Sequence, residues 1–464
     1  MGDRGFIMRN AAAVDELATL LGNRLSRSKS DLDLHGRSES HFPLTPPDAV
    51  AYPETAEEVA EIVKICARHG CPVVPWGVGT SLEGHALALT GGVSVDFARM
   101  NKVLKVNQED MDAVVQPGVT REDLNVELRA TGLFFSVDPG ANATLGGMAM
   151  TRASGTTAVR YGTMRDNVLA MEVVLADGRI IRTGTRARKS SAGYDLTGLM
   201  VGSEGTLGLV TEMTVKLHGQ PEAVSSAVCS FDDMEAAVNA VIATIQMGIP
   251  MARIEFVDPA VAAAFNAYAG STLPETPHLM VEFHGSEQGV AEDAERFREI
   301  ADDFGATGFE WATQPEDRKA LWTMRHNAHF ACLASRPGAR AIVTDICVPI
   351  SKLAEAVEET RADVAAASIP GPIVGHVGDG NFHCILLFME DDPKEHAEAK
   401  AIAHRMVERA LRLGGTSTGE HGIGAGKLDY MAEEHGEAWD VMGTLKQAMD
   451  PQNILNPGKM VKPR

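Results

Sequence analysis

Apolar residues recur along this chain with two periods, and the changes of period mark its organisation. Val59, Ile62, Val63 and Cys66 form a helical stripe behind Thr55-x-x-Glu58, a capping box whose side chains satisfy the first free amides of a helix. Gly70 ends that helix, and Pro72-Val73-Val74-Pro75 begins a strand running into Gly77-Val78-Gly79-Thr80-Ser81. The helical pattern returns over Thr120 to Gly132. A glycine-dense stretch, 139–208, carries further strands, among them Met171 to Leu175 ahead of the Asp177-Gly178 turn. Beyond Gly219-Gln220-Pro221 the helices are strongly periodic. Ala237, Val238, Val241, Ile242 and Ile245 share one face, and Ile402, Met406 and Leu413 another. Strands are expected over Met280 to Phe283 and Ala341 to Val348, and a hairpin around Asp379-Gly380. The sequence lacks internal repeats and low-complexity linkers. The class is α+β: an N-terminal helical segment, 1–42, and two domains, 43–219 and 220–464.

Composition narrows the functional classes. The 464 residues are 44% hydrophobic and 23% charged, an ordinary globular balance for two or three cores. With 63 acidic against 42 basic residues the formal charge is −21, which disfavours nucleic acid as a partner. It leaves room for a small anionic substrate, because a few arginines or a metal can reverse the field inside a cleft. No apolar run approaches the roughly 18–20 residues that span a bilayer. The start, Met1-Gly2-Asp3-Arg4-Gly5, lacks a secretory pattern. Six scattered cysteines without a Cys-x-x-Cys pair read as reduced thiols in a cytoplasmic protein.

The hairpin is the richest stretch chemically. His376-Val377-Gly378-Asp379-Gly380-Asn381-Phe382-His383 places two histidines around a turn whose Asp-Gly tolerates positive φ. A hairpin symmetric about Asp379-Gly380 sets His376 directly opposite His383, with Cβ atoms about 4.5–5.5 Å apart. Two such imidazoles either share a divalent ion or hydrogen-bond within a packed sheet. A third ligand is available in Ser417-Thr418-Gly419-Glu420-His421-Gly422-Ile423-Gly424, a glycine-rich loop too irregular for a helix face. Glu420 completes a two-histidine, one-carboxylate set suited to Zn²⁺, Mn²⁺ or Fe²⁺. His421 beside it is a candidate general base.

Two glycine clusters point to a large phosphate-bearing ligand. Gly77-x-Gly79-Thr80-Ser81 can turn backbone amides and hydroxyls toward an anion. The second cluster comprises Asp138-Pro139-Gly140, Thr144-Leu145-Gly146-Gly147, Ser154-Gly155, Tyr161-Gly162 and Gly202-Ser203-Glu204-Gly205-Thr206-Leu207-Gly208. So many glycines bring backbone close to an extended ligand. A dinucleotide fingerprint is absent, and Gly422-Ile423-Gly424-Ala425-Gly426-Lys427 is not a P-loop: His421 occupies its first glycine and Leu428 its hydroxyl position.

On these residues, 43–217 resemble the FAD-binding domain of the vanillyl-alcohol oxidase type. The resemblance implies flavin contacts from Pro75, Trp76, Gly77, Val78, Gly79, Thr80, Ser81 and Leu82, from Pro139, Gly140, Thr144, Gly146, Gly147, Ser154, Gly155, Tyr161, Gly162 and Gly205, and from Asn381 and Asn456 in the second domain. Thr80 and Ser81 follow the first glycines and His85 comes later, so the flavin is expected to be noncovalent. Residues 221–464 resemble the C-terminal, antiparallel-sheet and helix substrate domain of FAD-linked 2-hydroxy-acid dehydrogenases, and most of all those of the cytochrome-type D-lactate group. Tyr161 to Leu169, Arg188 to Tyr194, Arg325-His326-Asn327-Ala328, Thr344 to Pro349, and Asp450-Pro451 to Lys459 carry the likeness. It implies one divalent ion, zinc or manganese, on His376, His383 and Glu420, with His421 as base and Arg325 on the substrate carboxylate. D-2-hydroxyglutarate dehydrogenases have lysine and asparagine where this chain has Val343 and Ile385, which argues for a monocarboxylate.

The implied reaction passes hydride from C2 of a D-2-hydroxy acid to flavin N5, and electrons then go to cytochrome c, a quinone or another carrier. A place at the inner membrane surface and a homodimer are left open. A glycolate oxidase flavoprotein subunit and an ether-lipid synthase are the alternatives. His326 and His329 flank Arg325 as weaker ligand candidates. His396 and His404 are expected in solvent, and Trp322 in the core or the pocket wall.

Overall fold

The computed structural model describes residues 10–461, so the pentapeptide read against a secretory signal lies outside the described residues. The stripe behind Thr55 becomes the helix Ala56–His69. Thr55 accepts the Glu58 amide, and Gly70 caps the far end at φ +62°. Its Val59, Ile62, Val63 and Cys66 are buried against a small sheet. That sheet runs Leu25–Ser26, Ala49–Ala51, Val93–Asp96, Val73–Trp76, with parallel pairing around Val93–Asp96. A five-stranded antiparallel sheet follows, ordered Val103–Asn107, Asp112–Val115, Leu209–Lys216, Val168–Val174, Ile180–Gly184. The Thr120 pattern gives a shorter helix than expected, Arg121–Glu127, continued by a 3-10 turn.

The rest of the chain builds an eight-stranded sheet, all of whose pairings are antiparallel. Helices Met234–Gln246, Leu353–Ala365 and Pro393–Arg412 contribute buried faces to its core, including Val238, Val357, Ile402 and Met406. The strand expected over Ala341 to Val348 is broken into Ala339–Val343 and Ile346–Cys347. Thr344 and Asp345 lie between them: Thr344 still donates its amide to Cys384 O at 3.1 Å, and Asp345 serves a loop described below.

The hairpin is not the symmetric one expected. Val377–Asp379 form a 3-10 turn with Val377 fully buried, and Gly380 closes it at φ +77°. The register is therefore His376 with Asn381 and Val374 with His383. His376 and His383 become diagonal neighbours on one face, which still brings their ring centroids within 5.5 Å.

Finally, the C-terminal segment returns to the first sheet. Val73 donates its amide to Ile454 O at 2.7 Å, and Asn456 returns its amide to Val73 O at 2.8 Å. The Asn456 side chain donates to the His85 and Glu204 carbonyls at 3.0 and 2.7 Å.

Candidate active site

A cavity of about 630 Å³ runs between the glycine loops of the first half and the large sheet of the second. Pro75 to Leu82, Pro139, Gly140, Thr144, Gly146, Gly147, Ser154, Gly205 and Asn456 all line it. So do Arg325, His376, His383, Glu420 and His421. The glycine cradle of Gly77, expected from the sequence, and the histidine hairpin of His376 thus face one space.

Four expected flavin contacts do not reach it. Gly155 is needed for packing, since a Cβ there would lie 2.4 Å from the Asp138 carbonyl carbon. Tyr161 turns its hydroxyl to His284 Nδ1 at 2.7 Å, and Gly162, at φ +77°, ends the short helix behind it. Asn381 is buried beneath the site, donating to Asp345 Oδ1 and Ile346 O, both at 2.9 Å. At the cradle, Gly205 has φ +70° and its missing Cβ would meet Pro75 Cγ at 2.4 Å, so only glycine lets this turn close over the strand.

The polar end is compact. His376 Nε2 and His383 Nε2 approach Glu420 Oε1 at 3.1 and 3.2 Å. One ligand atom from each residue can be chosen so that all lie within 4.8 Å of one another. Each imidazole has its other nitrogen against an acceptor: His376 Nδ1 is 2.9 Å from Glu255 Oε1, and His383 Nδ1 is 2.9 Å from Thr344 O. Burial pushes the His376 imidazole down, but Glu255 and Glu420 outweigh it and hold it well above its ordinary value. A bound divalent ion would displace that second proton, leaving the protons on Nδ1 and the Nε2 lone pairs converging. The residues therefore fit a metal.

Electrostatics divide the roles. Burial pushes the Glu420 carboxyl up, but His376 and His383 outweigh it and hold it well below the usual carboxylate range. Burial pushes the His421 imidazole down to about 4 against the opposing pull of Asp345. A neutral ring results, stacked on His383 with centroids 5.0 Å apart and with Nδ1 buried without a hydrogen-bond partner. Arg325, on the helix Pro315–His326, is nearly buried, and its Nη2 lies 2.5 Å from Glu255 Oε2.

Three acids that hold this centre together were given no role by the sequence reading. Asp345 accepts the Glu420 and His421 amides at 2.9 and 2.8 Å and the Thr418 hydroxyl at 2.8 Å, fixing the loop that carries Glu420 and His421. Glu204 reaches across from the glycine-rich half and accepts the Ile423 and Gly424 amides at 2.7 and 2.9 Å. Glu255 joins Arg325 to His376. Their only local signal is an acid inside an apolar or glycine-rich run, where an unpaired charge costs too much to be incidental. His326 and His329 also line the cavity, a stronger placement than the sequence assigned them. Trp322 is core, donating Nε1 to Glu282 at 2.6 Å. His404 is exposed as expected, whereas His396 is half-buried and stacks on Phe388 at 4.6 Å.

Fold and site together describe a flavoprotein oxidoreductase, and the comparisons agree. The family described as FAD linked oxidases, C-terminal domain, matches residues 220–460, and that of the FAD binding domain matches 47–184. The chain belongs to the FAD-linked 2-hydroxy-acid dehydrogenases, on the side of the cytochrome-type D-lactate dehydrogenases. A probable mitochondrial D-lactate dehydrogenase of Danio rerio is 50% identical, over 92% of this chain and 87% of the relative. The mitochondrial D-lactate dehydrogenase [cytochrome] of Arabidopsis thaliana is 43% identical, over 97% and 80%. Among solved structures, p-cresol methylhydroxylase superposes with a TM-score of 0.82 at 19% identity, covering 97% of this chain and 96% of that one, which carries the fold. Among the described residues no helix is long and apolar enough to cross a membrane.

Proposed function

We propose that this cavity oxidises D-lactate, or a close D-2-hydroxy monocarboxylate, to the 2-oxo acid with the help of a divalent metal. The observation that carries the reading is the convergence of a three-ligand centre, an arginine and a neutral histidine at one end of a glycine-lined cavity. FAD, bound noncovalently along the glycine loops, would accept the hydride from C2 at N5. His85, which lines the cavity beside the first glycine loop, has its ring turned to Glu204 at 3.2 Å.

Arg325 offers its guanidinium fork to the substrate carboxylate, geometry a planar anion matches. His376, His383 and Glu420 would hold Zn²⁺ or Mn²⁺ beside the C2 hydroxyl, whose proton a Lewis acid makes easier to lose. His421 is kept neutral by burial and takes the proton from that hydroxyl oxygen. Val343 and Ile385 are cross-strand partners that both line the cavity, so the tail of the substrate meets hydrocarbon where a second carboxylate would need a cation. The relatives named for a cytochrome point to that class of acceptor, and a net charge of −21 favours encounter with a basic carrier.

Anaerobic mixing of the flavin-loaded protein with D-lactate, L-lactate, glycolate and D-2-hydroxyglutarate tests the reading. D-lactate is expected to bleach the flavin fastest. Bleaching by D-2-hydroxyglutarate alone, or by none of the four, contradicts it.

A further inference from the structure

The strand Met251–Val257 sends two charged residues toward the helix Pro315–His326, and they meet it as two rungs. Arg253 and Glu255 share a face because strand side chains alternate, and Trp322 and Arg325 share a face because they are three apart on a helix. The Arg253 guanidinium lies over the Trp322 ring at 4.5 Å, and Glu255 Oε2 lies 2.5 Å from Arg325 Nη2. On its other side the strand pairs with Ile373–His376, in the register Phe256 with Gly375. One step further along that ladder sets Glu255 opposite His376, and Glu255 Oε1 accepts from His376 Nδ1 at 2.9 Å.

We infer that Glu255 is a positioning residue that couples the metal centre to the anion-binding arginine through the two oxygens of one carboxylate. The inference rests on the cavity reading given above and adds to it a link between its two halves. Glu255 is 1% exposed, so no water competes for either oxygen. Oε1 keeps the His376 proton on Nδ1 and so frees Nε2 for a cation. Oε2 holds the arginine from one side as a close ion pair that lacks hydrogen-bond alignment. Arg325 Nε is buried without a hydrogen-bond partner, so capacity remains for a carboxylate arriving from the cavity. A neutral amide cannot do both. With its oxygen on His376, its NH₂ group confronts the arginine, donor against donor. Turned over, its NH₂ meets His376 Nδ1, which must then give up its proton, and the proton appears on Nε2 where the cation binds.

The test is E255Q in flavin-loaded protein stripped by a chelator. Zn²⁺ affinity is read by calorimetry, and oxalate, as a planar carboxylate probe, by its perturbation of the flavin spectrum. Loss of about 10–100-fold in Zn²⁺ affinity is expected, the range for removing a partner that orients a metal-bound imidazole. If the amide settles the other way, oxalate affinity falls by a similar factor while Zn²⁺ is retained. E255D, which keeps the charge, is expected to lie between E255Q and wild type on both read-outs. Wild-type affinities for both probes in E255Q overturn the coupling. Should E255Q not fold, R325M decides: freed of the arginine, Glu255 serves His376 alone and Zn²⁺ binds more tightly, whereas unchanged Zn²⁺ affinity overturns the inference. Wild-type protein that takes up no Zn²⁺ removes the metal reading itself, a result distinct from failure of the coupling.

Discussion

One wall of the cavity is made of backbone and the other of side chains. The glycine-rich wall takes its contacts from short contiguous loops, Pro75 to Leu82, Pro139 to Gly147 and Gly205 with its neighbours. The polar wall gathers Arg325 from a helix, His376 and His383 from two strands, and Glu420 and His421 from a loop. The first can be read locally, because a turn that demands glycine announces itself in sequence. The second depends on long-range partners, and its precision comes from Asp345, Glu204 and Glu255, each of which acts on residues far from it in the chain. A backbone wall tolerates side-chain change and fails at its turns; a side-chain wall fails one group at a time.

Replacing the base gives the largest expected loss. H421A is expected to keep the stacked His383 and the glycine-rich wall intact, and its rate of flavin reduction by D-lactate in single turnover to fall by about 10²–10⁴-fold. Unchanged flavin spectrum in the resting variant separates this from damage to the other wall.

E420Q is next. Removing the carboxylate that both Nε2 atoms face is expected to abolish stoichiometric metal, measured by elemental analysis, and to slow flavin reduction by at least about 10²-fold, more than loss of an outer partner costs. Flavin content stays at the wild-type level if the walls are separable.

The reverse experiment is G205A. A left-handed φ and a 2.4 Å approach to Pro75 make any side chain costly, about 1–3 kcal/mol in thermal or denaturant unfolding. Flavin is lost in this variant, while Zn²⁺ affinity remains. Loss of both together would show that the walls are one cooperative unit.

The smallest effect comes from a histidine outside the cavity lining. Burial holds the His218 imidazole down at about 4, and Lys216 adds to the effect. Unfolded His218 takes its proton near pH 6.5, whereas folded His218 does not until about pH 4. Its contribution is therefore fully present above pH 6.5 and is lost as pH falls toward 4. Wild-type protein is expected to gain melting temperature over that interval, and H218N to show a shallower rise.

The sequence was most legible where local physics suffices. The Thr55 cap, the Gly70 stop and the apolar stripe between them became a helix with the expected ends. The hairpin was legible as an element but not in register, because Val377 goes into the core and pulls the turn out of symmetry. The strand through Thr344 and Asp345 was misread as unbroken. Asp345 sits at the break in that strand and accepts from three donors in a distant loop. Asn381, Gly155, Tyr161 and Gly162 carry family-like motifs but are not among the residues that line the cavity.

The account stands on the two walls acting on one substrate, and single-turnover reduction of the bound flavin measures that directly. Metal-loaded protein mixed anaerobically with D-lactate is expected to lose its visible flavin absorbance rapidly, L-lactate to leave it in place, and chelator treatment to slow the D-lactate reaction until Zn²⁺ or Mn²⁺ is restored. Equal bleaching by both enantiomers, or a D-lactate rate indifferent to the metal, would contradict it.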